Sequence, residues 1–467
     1  MSRQVVLKQR LDVVLTSCTS YVNSFNQLST MTHIAWLVLS SFAAAAASTL
    51  PQSQPSPVCI NDPFEPHLHI SCPTASTVRS HGAGPNMWTT QPRCITWTPR
   101  LGPSTSSHPV EHCIFTQAAF RYGHGVTIIA SPGTASDLVG SGALSDTESY
   151  LPLSISPPRI FAPGPVFDFS GVPAYEVRDL PGKGKGVIAV RRIEKGEVLM
   201  LDYPAILAAA DFASAAWTKT QERLLQVAVS QLPRQTQRRV LDLAMSQTDL
   251  DSDMAVGDVF ATNTCSVVLG NGVRFLGLFP EVSRMNHDCV PNAYYRLSPM
   301  TLTMQVVSYR QINPGEEVTI NYASLGMPYT VRREYLEANY GFTCGCALCK
   351  APKAKRAESD ARRMRLARAR QEMSKAGKRG DAARAIVRAG EALAEVAVED
   401  GLGPLAWDFY AKMSGYHLEL GQHDEAMAVA ARALEGMVQL DGPDEDGGRV
   451  GEVRDLMKRI QRRQQAA

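Results

Sequence analysis

Four short blocks in a fixed order constrain this chain more than its size does. They are GKGKGVIA at 182–189, SRMNHDCVPNA at 283–293, NPGEEVTINY at 313–322 and YGFTCGCALC at 340–349. Each block alone is ambiguous. Gly184 and Gly186 flank Lys185 and remove side chains that would keep a ligand off the backbone, yet a plain β-turn wants the same residues. Asn286 and His287 are equally at home in a satisfied core pair, and Tyr322, Tyr340 and Phe342 as buried core aromatics. Cys344, Cys346 and Cys349 form C-x-C-x-x-C, three thiols on one tight loop that cannot all pair with one another; a tetrahedral zinc site would need a fourth ligand.

The surrounding texture changes three times. Residues 48–170 hold clustered proline, serine, threonine and glycine without a sustained helical period, which predicts mostly loop, with a short hairpin in CIFTQAAFRYGHGVTIIA at 113–130. From Ala174, short β-rich runs alternate with glycine, interrupted by a helical insert at about 215–256 where Leu224, Leu225, Val227, Leu241 and Leu243 recur at helical spacing. Beyond Pro352 the apolar period is helical to the end. Trp407, Tyr410, Ala411, Ser414 and Leu418 share one helix face, and segments 380–393 and 421–434 align at an offset that sets Ala389 opposite Ala430 and Leu393 opposite Leu434, a loose helix-hairpin repeat of the tetratricopeptide kind.

In this order and spacing, the four blocks resemble those of a SET domain, the catalytic domain of protein lysine methyltransferases. The resemblance implies an α+β chain divided as an N-terminal region over 1–170, a β-rich SET domain over 171–330 containing the helical insert, a post-SET zinc loop over 331–352, and an all-α, tetratricopeptide-like tail over 353–467. It implies S-adenosylmethionine as cofactor, with the backbone at Gly184, Lys185 and Gly186 against its methionine part. Asn286 and His287 would hold its amino-acid and adenine ends, and Phe342 would pack on the adenine. Thr262-Asn263 resembles a cofactor-contacting step of SET proteins related to the SET-and-MYND group, which nominates Asn263. Tyr322 is the expected catalytic phenol, because methyl transfer to a neutral amine needs alignment and a suitable electrostatic channel, and a phenol orients the amine without being methylated. Tyr340 is the second aromatic of the lysine channel. In the family, the cysteine of the NHxC block completes the zinc site, so the implied ligands are Cys289, Cys344, Cys346 and Cys349. The implied substrate is a lysine on a histone or another protein.

Three departures from the family pattern stand out. Asn321 replaces an aspartate before the catalytic tyrosine, Asp288 replaces a serine, and the cysteine-rich MYND finger is missing, since Cys265 is the one cysteine between Tyr203 and Ser283. The pattern resembles fungal SET proteins that carry a helical tail without that finger. A catalytically weak or inactive SET scaffold that recruits partners is the competing reading, and Asn321 is what keeps it open.

Charge and cysteine usage bear on partners and compartment. A net charge of +2 excludes a wholly basic nucleic-acid binder, but Lys350 to Arg388 holds fourteen Lys or Arg against four Asp or Glu, either a solvated helix face or a patch for an acidic partner. Residues 34–47, IAWLVLSSFAAAAA, are too short to span a bilayer comfortably. With initiation at Met31 they would read as a secretory signal, and otherwise as an alanine-rich helix. Cys59, Cys72, Cys94 and Cys113 are dispersed enough to form two disulfides, which belong to an oxidising compartment, whereas zinc thiolates and S-adenosylmethionine belong to a reducing one. The chemistry favours nucleus or cytoplasm.

Overall fold

The structure is a computed structural model of the 467-residue chain and describes residues 87–97, 110–145, 163–214, 219–246, 254–269, 272–299, 301–375, 403–441 and 449–466. It is a mixed α+β chain. In order, the strands are β1 (Thr90–Trp97), β2 (Val110–Gln117), β3 (Val126–Ala130), β4 (Gly164–Pro165), β5 (Tyr175–Leu180), β6 (Gly184–Ala189), β7 (Val198–Asp202), β8 (Ile206–Ala209), β9 (Thr264–Leu269), β10 (Val273–Leu278), β11 (Asn286–His287), β12 (Ala293–Ser298), β13 (Thr303–Ser308) and β14 (Glu317–Ile320). The helices used below are α1 (Pro132–Gly140), α2 (Ala210–Ser214), α3 (Lys219–Gln231), α4 (Arg234–Leu241), α5 (Ala255–Asn263), α6 (Tyr329–Tyr340), α7 (Ala347–Lys350), α8 (Lys353–Lys375), α9 (Gly403–Glu419), α10 (His423–Asp441) and α11 (Arg449–Ala466). No helix among the described residues is long and apolar enough to cross a membrane; the run at 34–47 lies outside them.

The chain divides into two compact units, one drawn from residues 1–146 and 204–278, the other from 147–203 and 279–467. The first is built on a six-stranded sheet of order β1-β2-β3-β8-β10-β9. The expected hairpin is present, with β2 antiparallel to β3 from Cys113↔Ala130 to Gln117↔Val126. Strand β3, VTIIA, is buried at every position, as a β-branched run covered on both faces should be. It pairs in parallel with β8, joining residues on either side of the boundary drawn at 170 from sequence. Helices α3 and α5 cover the sheet, with Leu224, Leu225, Val229 and Phe260 packed on Ile114, Ile129, Ile206 and Leu276. Of the helical period at 215–256, Leu224, Leu225 and Leu243 are buried in the core of this sheet and Val227 partly so, whereas Leu241 is exposed. Cys94 and Cys113 face each other in register across β1 and β2 and form a disulfide; Cys59 and Cys72 lie outside the described residues.

The second unit contains two four-stranded sheets, β11-β14-β6-β5 and β12-β13-β7-β4. Strand β11 pairs in parallel with β14, Asn286↔Thr319 and His287↔Ile320, so the NHDC segment runs beside the strand that leads into Tyr322. Strand β14 pairs in turn with β6, which brings the glycine turn into the same sheet. Helices α9, α10 and α11 share a core with Leu325 of this unit through Phe409, Met413, Ala430, Met437, Val453 and Ile460. The face expected from Trp407 to Leu418 is the one that is buried: Tyr410, Ser414 and Leu418 are inaccessible, and Trp407 and Ala411 partly so. Residues 380–393, the first segment of the helix-hairpin repeat expected from sequence, lie outside the described residues. Part of the basic run forms α8, its residues 376–388 lie outside the described residues, and one of its cations, Arg363, is turned inward at 1% exposure.

Candidate active site and metal centre

The site is assembled in the second unit, where β6, β11, β14 and the end of α6 meet. Gly186 is required by close approach, since a Cβ there would stand 2.3 Å from Leu180 Cδ1 and 2.9 Å from Asn286 Nδ2. Gly184 needs its positive φ of 68°, and the space beside it is open. The Asn286 amide donates to the Lys185 carbonyl at 3.1 Å and to Glu317 Oε1 at 2.9 Å, fastening the glycine turn to the NHDC segment. Its Oδ1 is left as an acceptor.

His287 is buried and held at both ring nitrogens. The Tyr322 backbone N–H donates to Nδ1 at 3.0 Å, which makes Nε2 the protonated nitrogen, and Nε2 lies 3.4 Å from Cys289 Sγ. Burial pushes its pKa down to about 3, so the ring stays neutral and can keep this pair of roles. The imidazole thus positions the start of the Tyr322 segment against the cysteine cluster. Asp288 accepts from the Val290 N–H at 2.8 Å, and burial raises its pKa to about 6.

The Tyr322 hydroxyl donates to the Met285 carbonyl at 2.6 Å, and burial raises its pKa above that of a free phenol. Its proton is committed, so the oxygen presents lone pairs. Around the ring stand Tyr340 at 4.8 Å, His287 at 5.5 Å and Phe342 at 6.4 Å between centroids, the last edge-on. Tyr340 ends α6 and Phe342 follows the helix cap Gly341, whose φ of 73° turns the chain back over the site. Of the residues nominated from sequence, the geometry gathers Gly184, Lys185, Gly186, Asn286, His287, Tyr322, Tyr340 and Phe342. Asn263 belongs to the first unit, where its amide donates to the carbonyls of Ala244 and Val259.

The four cysteines converge. The sulfurs of Cys289, Cys344, Cys346 and Cys349 all lie within 4.8 Å of one another, with Cys289 Sγ 3.8 Å from that of Cys344 and 3.5 Å from that of Cys349. A tetrahedral zinc with Zn–S bonds of about 2.3 Å sets its sulfurs about 3.8 Å apart, so the donor set and its spacing fit that metal.

Several positioning residues escaped the sequence reading. Asn292 donates from Nδ2 to the Glu317 carbonyl and accepts the Thr319 N–H at Oδ1, both at 2.8 Å, fixing β14. Asp202, fully buried at the end of β7, accepts the N–H groups of Glu281 and Val282 at 2.7 and 3.0 Å where the chain enters SRMNHDC. Buried Arg332 donates from Nε to Cys289 Sγ at 2.9 Å. The Asn-before-Tyr departure has a physical trace: Asn321 Oδ1 accepts from the Ala323 N–H, while Nδ2 is buried without a hydrogen-bond partner among the described residues.

The glycine turn, the NHDC segment and the strand leading to Tyr322 lie in one sheet, and residues 184–323 match the SET domain family. The chain carries a SET domain. It is 30% identical over 194 residues to a protein of Schizosaccharomyces pombe named histone-lysine N-methyltransferase set5, covering 41% of this chain and 56% of the relative. It is 42% identical over 74 residues to a SET and MYND domain-containing protein of Dictyostelium discoideum, covering 16% and 21%. Against the pig N-lysine methyltransferase SMYD2 it is 33% identical over 118 residues, covering 24% and 27%. The chain thus spans about half the length of the first of these relatives and about a quarter or less of the others. Over the matched stretches the chain is similar to SET5 and SET-and-MYND proteins.

Proposed function

We propose that this chain transfers a methyl group from S-adenosylmethionine to the side-chain amine of a protein lysine. The observation that carries this reading is the Tyr322 phenol, tied by its proton to the Met285 carbonyl inside a box of His287, Tyr340 and Phe342. Bound S-adenosylmethionine supplies an electrophilic methyl carbon on a sulfonium. The backbone at Gly184–Gly186 and the free Oδ1 of Asn286 are the groups that would hold its amino-acid end, and Phe342 its adenine.

A neutral lysine amine would accept that methyl group, giving up one proton to solvent and leaving the thioether as the second product. The chain's part is placement and electrostatics. The Tyr322 oxygen, limited to accepting, would orient an amine N–H of the substrate lysine. Because the phenol stays neutral, it does not withdraw the methyl group from the lysine by competing as a nucleophile. Tyr340 lines the channel with a second ring.

Zinc at Cys289, Cys344, Cys346 and Cys349 has a structural role in this reading, pinning the loop that carries Phe342 to the NHDC segment. The helical tail, read as tetratricopeptide-like from the hairpin of α9 and α10, provides the wall from which Leu325 and the Tyr322 segment are supported. The orphaned Asn321 amide favours one second reading, a SET scaffold of low turnover that binds partners. Calorimetric titration with S-adenosylmethionine, combined with radiolabelled methyl transfer to histones and cell extract, separates the two. Binding with label transferred to lysine supports the enzyme; binding without transfer supports the scaffold, and absence of both removes the proposal.

A further inference from the structure

Arg332 on α6 and Arg363 on α8 are the two largest fully buried side chains described in the chain, each about 1% exposed. A guanidinium never loses its charge at ordinary pH, and placing one in the interior costs several kcal/mol unless an anion or good hydrogen bonds compensate. Arg332 makes two hydrogen bonds: Nε donates to Cys289 Sγ at 2.9 Å and Nη1 donates to the Met327 carbonyl at 2.5 Å. Arg363 approaches the same residue from the opposite end, donating from Nη2 to the Cys289 carbonyl at 2.9 Å and from Nη1 to the Leu325 carbonyl. His287 Nε2 completes the set around Cys289 Sγ at 3.4 Å.

A neutral thiol is a weak acceptor and would not compensate a buried guanidinium. Four thiolates around one divalent zinc carry a net charge of −2, and two guanidiniums balance it. The arrangement therefore has the sign and the magnitude of a charge pair between a metal centre and its surroundings.

We propose that Arg332 is a positioning residue of the metal centre, whose Nε–H···Sγ bond to Cys289 supplies the counter-charge that lets four thiolates gather on one zinc, with Arg363 making α8 a second support of the same ligand. The inference rests on the zinc reading given above. It assigns metal affinity partly to a residue that is not a ligand, and it gives the head of the basic run an inward structural task.

The test measures zinc affinity of the full-length protein by competition with a chromogenic chelator at fixed pH, together with the sulfur-to-metal charge-transfer band of the cobalt-substituted protein. Arg332→Leu is expected to weaken zinc binding about 10- to 100-fold, the usual effect of losing such a partner. It should also move the cobalt band to lower energy, because a thiolate without its donor is more easily oxidised. Arg332→Lys keeps charge but not the planar fork and should fall between. Arg333→Leu removes a neighbouring cation that packs on Tyr329 instead and should bind zinc within about twofold of the parent. If Arg332→Leu lowers the melting temperature but leaves zinc affinity and the cobalt band unchanged, Arg332 is merely a core arginine and the proposal is overturned. Should Arg332→Leu not fold, Arg332→Lys decides by the same two readouts. A parent protein that holds no zinc removes the zinc reading and this inference together, whereas zinc in the parent with indifferent variants removes only this inference.

Discussion

Asp202→Asn probes how the chain is held where it enters the SRMNHDC segment. The Asp202 carboxyl group sits fully buried at the end of β7, with Oδ2 accepting the N–H groups of Glu281 and Val282 and Oδ1 accepting that of Tyr203. An asparagine keeps one acceptor oxygen. In its better orientation that oxygen retains the Glu281 and Val282 bonds, and the new NH2 faces the Tyr203 N–H, which is left unsatisfied. An unsatisfied buried donor costs about 1–3 kcal/mol, and because burial raises the Asp202 pKa to about 8 the acid is largely neutral near pH 7, so the two retained bonds lose little and the total stays at about 1–3 kcal/mol. At about 2–4 °C per kcal/mol for a unit of this size, the melting temperature should fall by roughly 2–12 °C. Because Met285, whose carbonyl receives the Tyr322 hydroxyl, follows only three residues after Val282, methyl transfer measured below the melting transition should drop as well. Differential scanning calorimetry and a methylation assay at a low temperature read both effects. A variant that melts within about 1 °C of the parent would show that Asp202 does not anchor this segment.

Three further outcomes follow from the geometry. Gly186→Ala should push Leu180 and the Asn286 amide apart, breaking the bond to the Lys185 carbonyl at a cost of about 1–3 kcal/mol, and should weaken S-adenosylmethionine binding in calorimetry more than it lowers the melting temperature. Gly436→Ala would drive a Cβ to 2.0 Å from the Trp407 indole and should destabilise the helical tail by about 1–3 kcal/mol in denaturant unfolding, while leaving zinc stoichiometry intact. Because burial holds the Tyr322 phenol above a free tyrosine's pKa of about 10, the methylation rate should climb with pH as substrate lysine deprotonates and should show no fall through about pH 10 attributable to this group.

Much of the candidate site was legible because it is carried by contiguous blocks. The glycine turn, NHDC, the tyrosine strand and the three-cysteine loop each announce themselves locally, and β11, β14 and β6 then pair to bring them together. What the sequence concealed depends on long-range pairing or on the direction a polar side chain takes. Strand β3 meets β8 across more than 70 residues, and no local period announces a parallel partner, so a stretch rich in proline and serine gave no hint that its end completes a six-stranded sheet. Arg363 sits in a run that reads as a solvated basic face, and only the fold turns it towards the Cys289 carbonyl. Asn292 and Asp202 look like turn residues in sequence because Asn and Asp are commonest there. The ring of His287 spans the Tyr322 N–H and Cys289 Sγ, a role that becomes visible only once three separated blocks are side by side.

The most direct test of the catalytic reading is the initial rate of methyl transfer by Tyr322→Phe, with S-adenosylmethionine binding and melting temperature measured on the same preparation. The variant loses one hydroxyl and its bond to the Met285 carbonyl, while the ring keeps its packing against Tyr340, His287 and Phe342. The account predicts a protein that folds and binds cofactor, with turnover reduced on the order of 10²-fold or more, as expected on removing one positioned polar group from an active site. A Tyr322→Phe protein that methylates as fast as the parent would contradict it, and would leave the phenol as a core aromatic.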